Sequence, residues 1–251
     1  MKGSDLVRIR SLLEQDRVWC AYALADLEPP FVERTSWFVD ERAVVMTYDG
    51  LTPPWLFAHG DPDEVEGLFA DIPAGAFQYA LLATHRARLA DRLRPTRQVH
   101  MWRMVLRPDA LPAGRAGGAV ALGPADLPQL EDLFGDHPDR PDSFEASQLE
   151  SGEFYGVREE GELVAVAGTH VVGSGVSAAG IGNVFTRPDR RRRGHARCAS
   201  AAVVEALLRR EIATIVLNVA MDNEPALAVY RGLGFAPFCG YYEGVGELDQ
   251  E

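Results

Sequence analysis

Between Ile181 and Arg197 the chain reads IGNVFTRPDRRRRGHAR. A short apolar run carrying Ile181, Val184 and Phe185 stops at Pro188. Four consecutive arginines follow, and Gly194, His195 and Ala196 lead at once into a long segment of helical apolar spacing. The pattern predicts a strand, a tight cationic loop and the first turn of a helix. Small residues at 194 and 196 let the backbone come close to a ligand, and the N–H groups of a helix start have no partner within the helix and point at an anion. The arginines add planar, bidentate donors that suit phosphate. A pyrophosphate is the natural guest.

Arginine runs are otherwise solvated faces or nucleic-acid patches. Here the formal net charge is −12 and the sequence pI about 5.0. A basic island on an acidic chain is better explained by a local anionic ligand than by a polyanion, so no nucleic-acid partner is expected. The GxxxxGK[ST] and GxGxxG patterns do not occur, which argues against a Walker loop and a dinucleotide fingerprint. With 251 residues, 47% of them hydrophobic, one or two globular domains are expected. No apolar run reaches bilayer length and MKGSDLVRIR lacks the apolar core of a secretory signal. Cys20, Cys198 and Cys239 are odd in number and widely spaced, and the histidines form no HExxH pair. A cytoplasmic protein with no membrane partner and no metal site is expected.

In the N-terminal half, Leu6, Ile9, Leu12 and Leu13 recur at helical spacing, and Trp19, Tyr22, Ala23 and Leu27 form a second amphipathic piece up to Pro29-Pro30. Residues 37–39, 43–48 and 55–58 read as strands. Asp61-Pro62-Asp63-Glu64 reads as a helix start: cap, proline at the first position, then acids in the first turn. Residues 77–82 are a strand, Thr84 caps a helix to Leu93, and 98–106 close with a strand. His85, Arg86 and Arg88 at that helix start read as a solvated face rather than an anion site. Trp19, Trp37, Trp55, Phe57 and Trp102 read as core.

Residues 107–118 are rich in proline and glycine and mark a boundary, giving domains at 1–110 and 119–251. Beyond it come a short strand (119–122), a helix (126–134), a polar loop (135–141) and a second helix that starts at Asp142/Ser143 and runs to Gly152. Strands at 154–158 and 163–172 follow, the latter apolar on both faces as in a buried central strand. Residues 212–219 form the strand after the long helix. Then comes Asn218-Val-Ala-Met-Asp-Asn223-Glu-Pro-Ala-Leu-Ala-Val-Tyr230-Arg-Gly-Leu-Gly234-Phe235, a helix with Pro225 near its start and Gly232 and Gly234 near its end. Asn223 and Tyr230 lie about two turns apart on it. An alternating segment, 235–243, completes the sheet.

Thr186-Arg187-Pro188 with Arg191-Arg192-Arg193-Gly194-His195-Ala196 resembles the R/Q-x-x-G-x-G/A signature of the GNAT superfamily of N-acetyltransferases. The N-x-x-A-x-x-x-Y-x-x-x-G-F run from Asn223 resembles that family's second cofactor motif. The resemblance covers about 119–242. It implies an α+β fold: a central mixed, mostly antiparallel, twisted sheet flanked by helices. The N-terminal half, in similar element order but without an arginine-glycine loop, reads as a degenerate sister domain, so that the chain holds tandem halves.

The resemblance further implies transfer of an acetyl group from acetyl-CoA to the primary amine of a small molecule or peptide, directly in a ternary complex, by a monomer or homodimer. Backbone at Val184, Phe185 and Thr186 would pair with the pantetheine arm as an extra strand does. Arg191, Arg192, Arg193, Gly194, His195, Ala196 and Arg197 would hold the pyrophosphate. Asn223 would hydrogen-bond the pantetheine, and Tyr230 would protonate the leaving thiolate, a phenol of pKa about 10 serving a thiol of about 8.5. Some relatives place a glutamate where this chain has Asn218, which cannot be a base. His170 is the first candidate for that role; Glu145 and a water relay to bulk are the others, and Asn183 is a candidate substrate contact. Two rival functions stay open: an acyl-CoA sensor without turnover, and a tandem-domain acyltransferase that uses a thiol, a hydroxyl or a larger acyl group.

Overall fold

The computed structural model describes residues 3–107, 117–141 and 144–249. Contacts divide the chain into two compact units. One holds 1–103, 219–222 and 237–251; the other holds 104–218 and 223–236. Compared with the expected division at 110 and 119, the first unit also takes the C-terminal stretch. The expected helix start at Asp142/Ser143 and most of the proline- and glycine-rich join fall outside the described residues.

The first unit opens with α1 (Gly3–Leu13) and α2 (Ala21–Ala25). Strands β1 (Thr35–Val39), β2 (Ala43–Tyr48) and β3 (Trp55–Gly60) form an antiparallel meander. The expected start of α3 (Pro62–Leu68) is present in full: the Asp61 side chain accepts the N–H groups of Asp63 and Glu64, with Pro62 in the first turn. β4 (Gly75–Leu82) then pairs in parallel with β3. α4 spans only Ala83–Arg88, with Thr84 inside it rather than capping it, and β5 (Leu93–Leu106) begins where that helix was expected to end. His85 is buried, not solvated, its Nε2 3.0 Å from the Gly60 carbonyl oxygen. The core holds Leu56, Phe69, Tyr79 and Leu81, with Trp19 fully buried and its Nε1 donating to the Ala58 carbonyl at 3.1 Å. Of the aromatic set expected in the core, Trp19 and Phe57 are buried, whereas Trp37, Trp55 and Trp102 are half-buried.

In the second unit β6 (Ala119–Ala121) leads through a short 3₁₀ turn into α5 (Leu127–Phe134). α6 (Gln148–Ser151) follows, then β7 (Tyr155–Glu159), β8 (Glu162–Gly173) and β9 (Ala178–Thr186). α7 (His195–Arg209) crosses to β10 (Thr214–Ala220), and α8 spans Glu224–Gly232. The strand order is β10-β9-β8-β7-β6, with β9–β10 parallel and the other pairs antiparallel. Leu130, Leu133 and Phe134 of α5 pack with Leu149, Phe154, Val166 and Phe185, which is the helical spacing seen in the sequence turned to one face.

The last strand, β11 (Phe235–Leu248), returns to the first unit, where it runs antiparallel to β4 from Tyr241↔Leu82 to Leu248↔Gly75. That unit's strand order is therefore β1-β2-β3-β4-β11-β5. The whole is the α+β arrangement expected, mixed and mostly antiparallel. Among the described residues no helix is long and apolar enough to cross a membrane.

Candidate active site

The expected site residues all belong to the second unit, and strand β9 organises them. Its parallel pairing with β10 runs from Ala178↔Thr214 to Ile181↔Leu217. β9 then continues to Thr186, paired with β8 as far as Thr186↔Ala165. A strand paired on one side only offers its other row of N–H and C=O groups to an extended guest. Val184, Phe185 and Thr186 lie in this half-paired stretch. Three polar atoms on β9 and β10 beyond their last paired residues are buried with no partner among the described residues: Asn183 Oδ1, Thr186 Oγ1 and Asn218 Oδ1. Buried polar groups are nearly always hydrogen-bonded, so such a group marks a place where a ligand or water is due.

The loop after β9 has a backbone that suits an anion. Arg192 (φ 64) and Gly194 (φ 86) both take left-handed backbone, and a Cβ at 194 would meet no neighbour within 4 Å. No side chain caps α7 at Gly194. The first intrahelical bond of α7 comes from the Cys198 N–H to the Gly194 carbonyl at 3.0 Å, which leaves the N–H groups of His195, Ala196 and Arg197 outside the helical ladder. The helix dipole adds to their pull on negative charge.

The arginines divide in a way that the sequence does not reveal. Arg187 bonds Glu162 at 2.9 Å and Asp189 at 2.8 Å, and that pairing holds the Asp189 carboxyl below its ordinary range. Arg191 reaches Asp139 at 3.0 Å and the Thr186 carbonyl at 3.1 Å. Arg190 and Arg193 each lie 3.5 Å from Glu159 Oε2, and His195 Nε2 stands 3.1 Å from Glu159 Oε1 without hydrogen-bond alignment. Arg197 donates to the Gly232 carbonyl at 3.2 Å, a cation at the C-terminal end of α8. Arg192 is exposed, and no described side chain pairs with it.

The other expected residues sit on α8 and β8. Asn223 caps α8, its Oδ1 accepting the Ala226 N–H at 3.2 Å, so its amide NH₂ is what it can offer a ligand. Tyr230 is 8% exposed, its ring edge-on to Phe235 at 6.3 Å, and burial pushes its phenol up to about 12. His170 stands where the β8–β9 register slips, between Thr169↔Ile181 and Val171↔Gly180. A Cβ on Gly182 would fall inside its ring, so glycine there is what admits the imidazole beside β9. Glu145 is exposed and its backbone N–H donates to Gln148.

The GNAT acetyltransferase family model matches residues 124–235, the segment that carries this geometry. The [ribosomal protein bS18]-alanine N-acetyltransferase of Escherichia coli K12 is 30% identical over 118 residues, which is 46% of this chain and 78% of that one. The chain belongs to the GNAT acetyltransferase family. Its members are acyltransferases that draw on coenzyme A thioesters. Solved structures agree in fold. A GNAT-family acetyltransferase from Novosphingobium aromaticivorans aligns over 90% of this chain and 96% of its own, with TM-score 0.63 and 23% identity. A tandem GNAT protein from the clavulanic acid biosynthesis pathway aligns over 92% of this chain and 88% of its own, with TM-score 0.54 and 15% identity.

Three further residues shape this candidate site in roles that the sequence does not signal. Glu159 and Asp139 hold the loop arginines, and Gln148 holds Asn183 through a 2.9 Å bond to its Nδ2. Each pairing spans more than twenty residues, and nothing in local periodicity signals such a partner.

Proposed function

We propose that this chain is an acetyl-CoA-dependent N-acetyltransferase that moves the acetyl group directly to a primary amine in a ternary complex. One observation carries the reading. The half-paired end of β9 leads straight into a loop with two left-handed residues and an uncapped helix start. That is a slot for an extended amide arm followed by a seat for its pyrophosphate. Val184, Phe185 and Thr186 take the arm. Arg191, Arg192, Arg193, Gly194, His195, Ala196 and Arg197 surround the phosphates, with Arg192 and the backbone N–H groups ready and Arg191 and Arg193 first giving up Asp139 and Glu159.

Bound acetyl-CoA supplies the activated acyl carbon; the chain's own residues do the rest. The amine lone pair attacks that carbon, the C–N bond forms, and the C–S bond breaks with its electron pair going to sulfur. Tyr230, protonated at every physiological pH, donates its phenolic proton to the leaving thiolate. The nitrogen loses one proton, for which His170 on β8 is the candidate acceptor, and water restores the phenol. The net change is one thioester and one amine to one amide and one thiol. Much of the rate comes from holding the two reactants together.

Likeness to GNAT structures along nine-tenths of the chain, one of them a tandem protein, supports reading the first unit as a degenerate GNAT-like domain. The free cysteines fit a reducing, cytoplasmic setting. The bacterial relative's alanine acceptor makes a peptide with a free N-terminal alanine the first amine to try, with lysine and polyamines beside it. Calorimetric titration with acetyl-CoA, next to an Arg192→Ala/Arg193→Ala double variant, tests the cofactor. Binding that the variant loses supports the loop assignment; no binding by the wild type overturns it. Release of CoA thiol with one amine of the panel, and not without it, then separates a transferase from a sensor.

A further inference from the structure

We infer that Asn183 receives and orients the acceptor amine, its side-chain oxygen taking a hydrogen bond from the amine N–H. The inference rests on the N-acetyl transfer proposed above and deepens it. Asn183 lies in β9 at φ 51, a left-handed conformation that asparagine tolerates better than most L residues. It does so at a bulge. Val166 pairs with Phe185 and Gly168 with Gly182, so Asn183 and Val184 together face the single residue Ala167.

The orientation of its amide follows from the backbone. Gln148 Oε1 accepts the Glu145 N–H at 3.2 Å, so that atom must be oxygen. Asn183, bonded to the same atom at 2.9 Å, must therefore present its NH₂. What is left over is Oδ1, on a side chain only 3% exposed and with no donor among the described residues. A left-handed non-glycine and an orphaned buried acceptor are both costly to the fold, and here they coincide next to the parting of β9 and β10. Such costs persist where a ligand repays them.

Two molecules bring donors to the proposed complex: coenzyme A, through the amides and hydroxyl of its pantetheine arm, and the acceptor amine. Side-chain direction favours the amine. Phe185, two residues on, packs against Phe134 of α5 at 5.8 Å and His137 at 5.5 Å, and Asn183 bonds Gln148 of α6. Both thus project to the face covered by α5, α6 and the 135–141 loop. An arm paired along the β9 edge lies in the plane of the sheet and is served by backbone groups. The oxygen on the helix-covered face is offered to the other substrate. With one N–H on Asn183, a neutral amine keeps its lone pair free for the acyl carbon. Asn183 is thus a positioning contact that carries no proton.

Two coenzyme A thioethers test this by binding alone, one ending in S–CH₂–CO–NH–CH₃ and the other in S–CH₂–CO–O–CH₃. The wild type is expected to bind the amide roughly tenfold more tightly than the ester, as one buried hydrogen bond allows. Asn183→Gly, which keeps the left-handed backbone without strain, is expected to bind both alike while binding CoA itself as the wild type does. Gln148→Ala, which leaves Asn183 in place but unheld, is expected to lose part of the preference. Equal binding of both analogues by the wild type, or a preference that survives in Asn183→Gly, overturns the proposal. A parallel loss of CoA affinity in Asn183→Gly also overturns it, because the oxygen would then serve the pantetheine arm. Failure of the wild type to bind CoA at all brings down the acetyl-CoA reading as well, and shows itself before the analogues are compared.

Discussion

Each unit contains a junction where a strand hands over to a helix, and the two junctions are opposites. In the first, β4 ends at Leu82 and α4 begins at Ala83, with no loop between them. Each of its basic side chains has an internal partner: His85 Nε2 the Gly60 carbonyl, Arg86 Gln98 at 3.2 Å, and Arg88 Asp63. Burial lowers the His85 pKa, so the ring prefers to be neutral and offers an anion nothing. In the second, residues 187–194 separate β9 from α7, two of them left-handed, and the first turn of the helix stands open. A helix start binds an anion only where the strand before it stands back. The dipole is common to both; the loop is not.

The contrast extends to buried charge, and there the largest effect is expected. Asp26 in the first unit has its carboxyl pushed up to about 7 by burial. A folded-state pKa above the unfolded value favours the protonated fold. That contribution is fully present below about pH 4 and is lost as pH rises through about 7. The first unit should therefore lose up to about 4 kcal/mol in all, roughly 3 of it between pH 5 and pH 8. All four tryptophans (Trp19, Trp37, Trp55 and Trp102) lie in this unit, so urea unfolding followed by their fluorescence reads it alone. Asp26→Asn should flatten the slope; an unchanged slope would mean that Asp26 is not its source.

In the second unit the corresponding buried titratable group, Tyr230, is assigned to chemistry rather than to stability. Tyr230→Phe should lower kcat about 100-fold with the calorimetric Kd for acetyl-CoA unchanged, the usual scale for losing a general acid. Full turnover in that variant would remove Tyr230 from the mechanism. Next in size comes the junction itself. Gly194→Val meets no steric neighbour but must hold a β-branched residue at φ 86, at about 1–2 kcal/mol. Weakening of acetyl-CoA binding by about tenfold is expected. Thr84→Val at the other junction should leave that affinity untouched, and if it does not, the two junctions are less different than they look.

Much of this was legible in the sequence because it is local. Proline, glycine and arginine in the order of 181–197 dictate a strand, a loop and a helix start, and Asp61-Pro62 fixes the start of α3. The C-terminal strand was harder. Residues 235–248 alternate as any strand does, but their choice of β4 as partner depends on which edge is free, and composition does not carry that information. Thr84 looked like a cap and is not one, because β4 runs directly into the helix and leaves no turn to cap. His85 looked solvated and is buried, since the Gly60 carbonyl that receives it lies twenty-five residues away in sequence. Asn183 is legible in the sequence only as a candidate substrate contact; its bulge and its orphaned oxygen depend on the register of β8 against β9.

The smallest expected effect concerns Glu159, which sharpens what "open" means at the second junction. Its carboxylate lies 3.5 Å from both Arg190 and Arg193 and 3.1 Å from His195 Nε2, so one acid faces three basic groups, of which Arg193 and His195 are the two proposed to meet the phosphates. If it acts as a placeholder, the incoming anion must displace it, and Glu159→Gln should tighten acetyl-CoA binding. These side chains are partly exposed, and ion pairs of that kind are worth about 0.2–1 kcal/mol, so a gain of roughly twofold to fourfold is the scale. Screening predicts that the gain shrinks as salt rises from about 0.05 M to 0.5 M, because the competition is electrostatic. Weaker binding in Glu159→Gln at every salt concentration would reverse the assignment. Glu159 would then be the residue that aims the arginines, and the loop would owe its readiness to an acid on β7 rather than to its own backbone.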